Sequence, residues 1–233
     1  MSWQKLQPDS LAWRESDNDN RQEKLITEEP SSLKQVMFSH DSIFNNASAT
    51  HGVLLLVVSG GLRLDNGQEV QNEDLLWIPA RTVKGTVTGR CLAKTCVFEL
   101  QVSSQFGPAK ITLIKKQAIS WQSFDDPAGR PTQPVQVLME GNLSILRTRF
   151  VPEYTAGDHW HDFDTWYFIT DGDMRFGHEG VYKTGEVRQV SGGFSYGPEE
   201  PGIDGVEFVL VSIGGPVMLH WADMEPAPKG QLQ

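Results

Sequence analysis

Apolar residues in this chain come in short blocks separated by glycine- and proline-containing breaks, and long runs with helical spacing are nearly absent. Residues 53–58 (Val-Leu-Leu-Leu-Val-Val) stop at Ser59-Gly60-Gly61. Residues 62–64 lead into Asp65-Asn66-Gly67, where Asn-Gly tolerates positive φ and so predicts a hairpin. Residues 75–78 stop at Pro79, and residues 95–100 form another block. Later the same order returns: residues 166–169 up to Gly172, residues 174–176, a turn, residues 193–196 before Pro198, then residues 206–211. Regular short strands with Gly/Pro turns predict a sandwich or barrel.

The recurrence is an internal repeat. Residues 38–60 overlay residues 150–172 without a gap, and Trp13 with Trp121 and Pro79 with Pro198 extend the match. The repeat divides the chain into an N-terminal domain, 1–108, and a C-terminal domain, 109–233. Residues 14–32, rich in Asp, Asn, Glu and Ser, read as a solvated loop or arm of the first half.

Charge and length narrow the partners. The 233 residues carry a net charge of −10 with no Lys/Arg cluster, so no nucleic-acid partner is expected. No apolar run approaches the length of a membrane span, and the first residues lack the apolar core of a signal peptide, so no membrane is expected and the reading is a cytoplasmic protein. Cys91 and Cys96, five apart in what reads as one strand, would face opposite sides and stay reduced.

The chemistry concentrates at Gly157-Asp158-His159-Trp160-His161-Asp162-Phe163-Asp164-Thr165. Side chains in a strand alternate faces, so His159 and His161 point the same way, together with Phe163, Thr165 and Tyr167; Asp162 and Asp164 point the other way. Two imidazoles aimed into one interior are half of a metal site.

This pattern resembles the cupin superfamily, whose first motif is His-x-His, three or four residues, Glu, six residues, Gly. Here His159-x-His161, Thr165 and Gly172 keep that spacing with threonine in the glutamate position. In the second motif, Gly192 and Pro198 match, but Glu200, Ile203 and Glu207 stand where the family has Gly, His and Asn. Two copies make a bicupin, so the resemblance implies an all-β fold of two double-stranded β-helix (jelly-roll) barrels. In the N-terminal copy the histidine positions overlay Ala47 and Ala49, Thr165 overlays Val53, and the second-motif histidine falls on Lys84. That half is expected to be metal-free.

Three readings of the histidine pair follow. In the first, His159 and His161 ligate a divalent metal (Fe, Mn, Ni or Zn) for an oxygenase or lyase reaction on a small organic molecule. Glu207, Asp164 or His220 would complete the shell, and Thr165 and Tyr167 would contact substrate. Glu207 shares parity with position 203, Asp164 would need a β-bulge to turn inward, and His220 lies in a predicted last strand, residues 217–221. In the second, the pair works without metal, in a small-ligand binder or sensor or an isomerase or epimerase. In the third, the histidines are core residues of a vestigial pocket. His40, His51 and His178 read as solvated or half-buried, and Trp160 and Trp166 as packing residues. The resemblance and exposed strand edges imply a homodimer.

Overall fold

The computed structural model describes residues 3–16, 21–28, 31–46, 50–80, 87–123 and 133–229. Ala47, Ala49 and Lys84, on which the expected loss of the N-terminal metal site rests, lie outside them. Among the described residues no helix is long and apolar enough to cross a membrane.

In chain order the strands are β1 (Trp3–Leu6), β2 (Arg14–Glu15), β3 (Arg21–Thr27), β4 (Leu33–Phe38), β5 (Ile43–Asn46), β6 (His51–Ser59), β7 (Gly61–Leu64), β8 (Glu69–Gln71), β9 (Leu75–Ile78), β10 (Val87–Cys91), β11 (Thr95–Ser103) and β12 (Thr112–Ile114). They continue with β13 (Val135–Met139), β14 (Leu143–Phe150), β15 (His159–Trp160), β16 (Asp164–Phe176), β17 (Gly180–Lys183), β18 (Val187–Val190), β19 (Glu199–Ile213) and β20 (His220–Trp221). The architecture is all-β, as expected. Two compact units result, one of Pro8–Ala118 and one of Met1–Gln7 with Ile119–Gln233.

In the first unit a seven-stranded sheet ordered β12-β9-β6-β11-β4-β3-β2 accompanies a four-stranded sheet, β5-β10-β7-β8. In the second, β1-β18-β16-β19-β14-β13 form one sheet, with β17 added to β16, and β15 pairs with β20. β1 lies antiparallel to β18, Trp3 opposite Val190.

The ungapped overlay marks real corresponding points. Phe38 and Phe150 end β4 and β14. Gly60 and Gly172 both have positive φ, 79° and 71°. At Gly60 the chain leaves one sheet for the other; at Gly172 the single long β16 bends, with register shifts on either side against β19. A side chain is excluded at both points, because a Cβ would sit 2.6 Å from the Lys94 carbonyl oxygen or 2.1 Å from that of Gly205.

Several expectations need correction. The described residues within 14–32 are not all loop: β2 and β3 sit at the edge of the large sheet, β3 pairing with β4 from Arg21–Phe38 to Thr27–Leu33. Alternation explains it, because Lys24 is buried while Glu23 and Leu25 are more exposed, a half-buried strand written in polar residues. Cys91 and Cys96 belong to different strands, β10 and β11, and both thiols are free and buried. The 65–67 turn uses positive φ at Gly67 alone, 84°, with Asn66 Oδ1 accepting from the Gln68 amide. The partner of β16 that matches β9 is β18, not residues 193–196. β18 carries Arg188 and Gln189 and so lacks the apolar run that marks β9.

Each unit has its own core. Val53, Leu55, Val57, Leu76, Ile78 and Val97 help fill the first. Tyr167, Ile169, Met174, Phe176, Tyr196 and Phe208 help fill the second. Each full burial of such a side chain contributes roughly 1.5–3 kcal/mol.

Candidate functional site

The segment ahead of His161 runs antiparallel to the one ahead of β19. Ala156 and Glu199 exchange backbone hydrogen bonds of 3.0 and 2.8 Å, and His159 and Tyr196 exchange two of 2.9 Å. This zipper sets His159 beside both Tyr196 and Glu199. Although β15 covers only His159 and Trp160, the alternation holds: His159 and His161 both line an interior cavity, while Trp160 stacks on His220 with ring centroids 4.0 Å apart.

Both imidazoles are held in one tautomer. His159 Nδ1–H donates to the Gly157 carbonyl at 2.8 Å, and His161 Nδ1–H donates to the Met218 carbonyl at 2.6 Å. A carbonyl can only accept, so each Nδ1 carries the proton and each Nε2 keeps a bare lone pair. The rings lie 5.4 Å apart, centroid to centroid. Burial lowers the His159 pKa to about 4, and burial together with neighbouring His159 lowers that of His161 to about 3. Both are therefore neutral at physiological pH.

The carboxylate of this site is Glu199. Its Oε1 lies 3.7 Å from His159 Nε2, and the residue is 2% exposed. Burial raises its pKa to about 7, against the opposing pull of Arg188 and of a hydrogen bond with Tyr167. The Tyr167 and Tyr196 hydroxyls are 2.5 Å apart, and burial holds both phenols protonated, well above the usual range. Beneath them Arg188, fully buried, lies 4.0 Å from the Tyr196 ring centroid. Its Nε and Nη2 donate to Glu179 at 2.7 and 2.6 Å, which keeps it charged despite burial.

Three expected ligands are placed otherwise. Glu207 is directed away from the cavity: Phe208 and Leu210 line it, so alternation sends Glu207 to the opposite face, where it accepts from Arg147 and from Arg149 Nη2 at 2.7 Å. Position 203, to which Glu207 was linked by parity, faces outward too, Ile203 being 90% exposed. The cause is the irregularity in β19: Pro201 pairs with Met174 and Val206 with Gly172, so residues 202–205 bulge, and Asp204 with them. Asp164 faces away as well, Oδ1 accepting from the Gly192 amide at 2.9 Å, and no bulge turns it inward. His220 reaches the cavity wall, but Nδ1 lies 3.0 Å from Glu225 Oε2 and Nε2 3.2 Å from Asp162 Oδ2. Some burial opposes it, yet these two carboxylates raise its pKa. Neither nitrogen is left for a metal.

Of the two expected substrate contacts, Tyr167 lines the cavity and Thr165 does not. Thr165 shares the inner face, opposite Val190 and Ser212, but is fully buried beneath the wall. Glu199, Tyr196, Arg188 and Glu179 were not singled out by sequence. A charged residue inside a four-residue strand, as in Val187-Arg188-Gln189-Val190, was the available signal for Arg188, since an arginine is seldom fully buried without a partner.

The cavity has a volume of about 790 Å³. Its walls are strands β13, β14, β16 and β19 with the segment from Pro216 to Glu225. Its lining is mostly aliphatic and aromatic.

No family model and no curated protein sequence matches the chain. Solved structures do. A protein of Nostoc punctiforme named "putative dioxygenase" superposes with a TM-score of 0.70 at 11% identity, covering 91% of this chain and 83% of its own. Ylba from E. coli gives 0.67 at 10%, covering 91% and 90%. Oxalate decarboxylase from Lactobacillus farciminis, a formate complex, gives 0.67 at 10%, covering 96% and 89%. The chain has the bicupin fold. The resemblance drawn from the His-x-His spacing and the duplication therefore holds for the fold, and at such identities it shows the fold alone. A further structure with the bicupin fold, the Bacillus subtilis oxalate decarboxylase, is described with Mn(II) centres (TM-score 0.61, 11% identity).

For this chain the donor chemistry suits a divalent metal better than the donor spacing does. His161 Nε2 and Glu199 Oε1 are both buried and have no hydrogen-bond partner. Yet among the described residues no three His, Cys, Asp or Glu side chains are drawn into a group that could hold a metal ion.

Proposed function

We propose that the C-terminal barrel is a metal-dependent oxygenase or lyase, with His159, His161 and Glu199 holding a divalent ion (Fe, Mn, Ni or Zn) and a small organic molecule in the adjoining cavity. One observation carries this reading: two buried donor atoms of the right kind, His161 Nε2 and Glu199 Oε1, lack a hydrogen-bond partner. Leaving such an atom unpaired costs about 1–3 kcal/mol, and an ion between them removes the cost. A bound ion would polarise an oxygen of the organic molecule or, if redox-active, exchange electrons with it. The chain supplies the rest. The backbone carbonyls of Gly157 and Met218 fix which ring nitrogen is bare, as supporting groups around a metal do. Tyr167 aims a protonated hydroxyl at the cavity from beside Glu199. Manganese, found in a protein of this fold, is the first ion to try.

Metal analysis of the full-length protein after manganese loading and desalting tests it. About one equivalent per chain is expected, falling below roughly a tenth of that in His159→Ala/His161→Ala and in Glu199→Gln. Equal metal in all three proteins would sink the reading. The lack of a three-donor group among the described residues favours a second reading, metal-free proton transfer by Glu199, poised near neutrality with His159 and Tyr167 beside it. That reading is the one left standing if no preparation holds metal.

A further inference from the structure

The polarity of the cavity wall carries an inference about what enters it, and this inference rests on the reading that the cavity is the binding site. Among the described residues that line it there is no lysine and no arginine, while three glutamates are present: Glu140, Glu199 and Glu225. The barrel's buried arginines are engaged elsewhere. Arg147 bonds Glu207 on the far face of the sheet, and Arg188 is tied to Glu179 beneath the two tyrosines. The body of the cavity is formed by side chains such as Val137, Leu146, Phe208, Leu210 and Val217. With no metal bound, an anionic group would enter an apolar space with a carboxyl already present and no lysine or arginine among the described lining residues to meet it, His220 being already set against Asp162 and Glu225. An uncharged ring would displace water at no such cost.

We infer that the site selects an uncharged, largely apolar ring compound with one polar end, such as a hydroxyl, directed at Tyr167 and the histidines, and that it rejects the carboxylate of the same ring. The volume accommodates a molecule of two or three fused rings. Hydrogen bonding at one end fixes orientation, and the aliphatic walls supply affinity.

Titrating the full-length protein, freed of metal by a chelator and desalted, with 2-naphthol and 2-naphthoate at neutral pH tests this. The two probes share a ring system and differ in charge. Saturable fluorescence changes are expected for both, with 2-naphthol bound at least about tenfold more tightly. Val137→Trp, which fills the cavity, is expected to weaken 2-naphthol at least about tenfold. Should that variant misfold by circular dichroism, Leu219→Trp at the half-exposed rim takes its place. Equal or tighter binding of 2-naphthoate overturns the proposal, as does 2-naphthol binding that ignores the filling variant. Metal content does not enter either outcome. Failure to discriminate refutes only this proposal, and failure of the manganese-loading test refutes only the metal reading.

Discussion

Leu55 and Tyr167 occupy one position in two copies of a barrel. Leu55 sits on β6 opposite Leu76 of β9, and Tyr167 sits on β16 opposite Arg188 of β18. Two residues earlier, on the same face, Val53 opposes Ile78 where Thr165 opposes Val190, so the backbone plan is shared while the chemistry departs. The apolar pair needs nothing further. The Tyr–Arg pair needs Glu179 to hold the guanidinium, Tyr196 to partner the phenol and Glu199 nearby. Even so it leaves polar atoms such as Arg188 Nη1 unpaired. The two interiors differ in kind: the first is packed with aliphatic side chains, and the second sets buried charges and phenols around a cavity.

The comparison can be broken most forcefully at Arg188. Arg188→Met strands the buried Glu179 carboxylate and is expected to destabilise the C-terminal unit by about 3–5 kcal/mol in urea unfolding. Arg188→Met with Glu179→Met should recover much of that loss. If the single change is as mild as the double, the ion pair is not what supports the polar interior. At the matching place in the other copy, Leu55→Ala opens a void in a packed core and is expected to cost about 3 kcal/mol. Naphthol affinity and metal content should be untouched, and a change in either would mean that the two interiors are not separable.

A smaller effect sharpens the contrast through pH, in chelator-treated protein. Glu199 in the fold holds its proton up to about pH 7, against 4.5 when unfolded. Folding is therefore penalised increasingly as pH rises through that window, and fully above it. Glu199→Gln is expected to be more stable than the parent above neutrality, on the order of 1–3 kcal/mol, with the gap closing toward pH 4.5. The histidines act in the opposite sense: with folded values of about 4 and 3 against 6.5, they cost stability as pH falls below 6.5. Urea melts across this range measure both, and a gap that widens on acidification would contradict the placement of Glu199.

Much of this was legible from residues alone, because period-two alternation and turn chemistry are local. Phe38, Gly60, Phe150 and Gly172 mark matching strand ends and bends, and the inward aim of His159 and His161 follows from one intervening tryptophan. What alternation cannot see is where it is interrupted. Between Pro201 and Val206 the strand bulges, so Glu199 and Glu207, which share parity, take opposite faces, and Glu207 was chosen through a motif position, 203, that lies inside the bulge. Asp164 was chosen by nearness in sequence and His220 as a remote nitrogen in the predicted last strand, yet their fates depend on Gly192, Asp162 and Glu225, contacts that no local pattern encodes. The polar edge strands β2 and β3 read as solvated for the same reason: their burial is conferred by a neighbour, not by their own composition.

Trp3–Leu6 completes the sheet that carries the candidate site, although it precedes the whole Pro8–Ala118 unit in the chain. On the ribosome the intervening unit can finish its own sheets early, whereas this first strand must wait, unsatisfied, until Val187–Val190 has been synthesised. The barrel that holds the candidate cavity can thus close only after the Pro8–Ala118 unit has been made, so a nascent chain can complete one set of sheets well before the other.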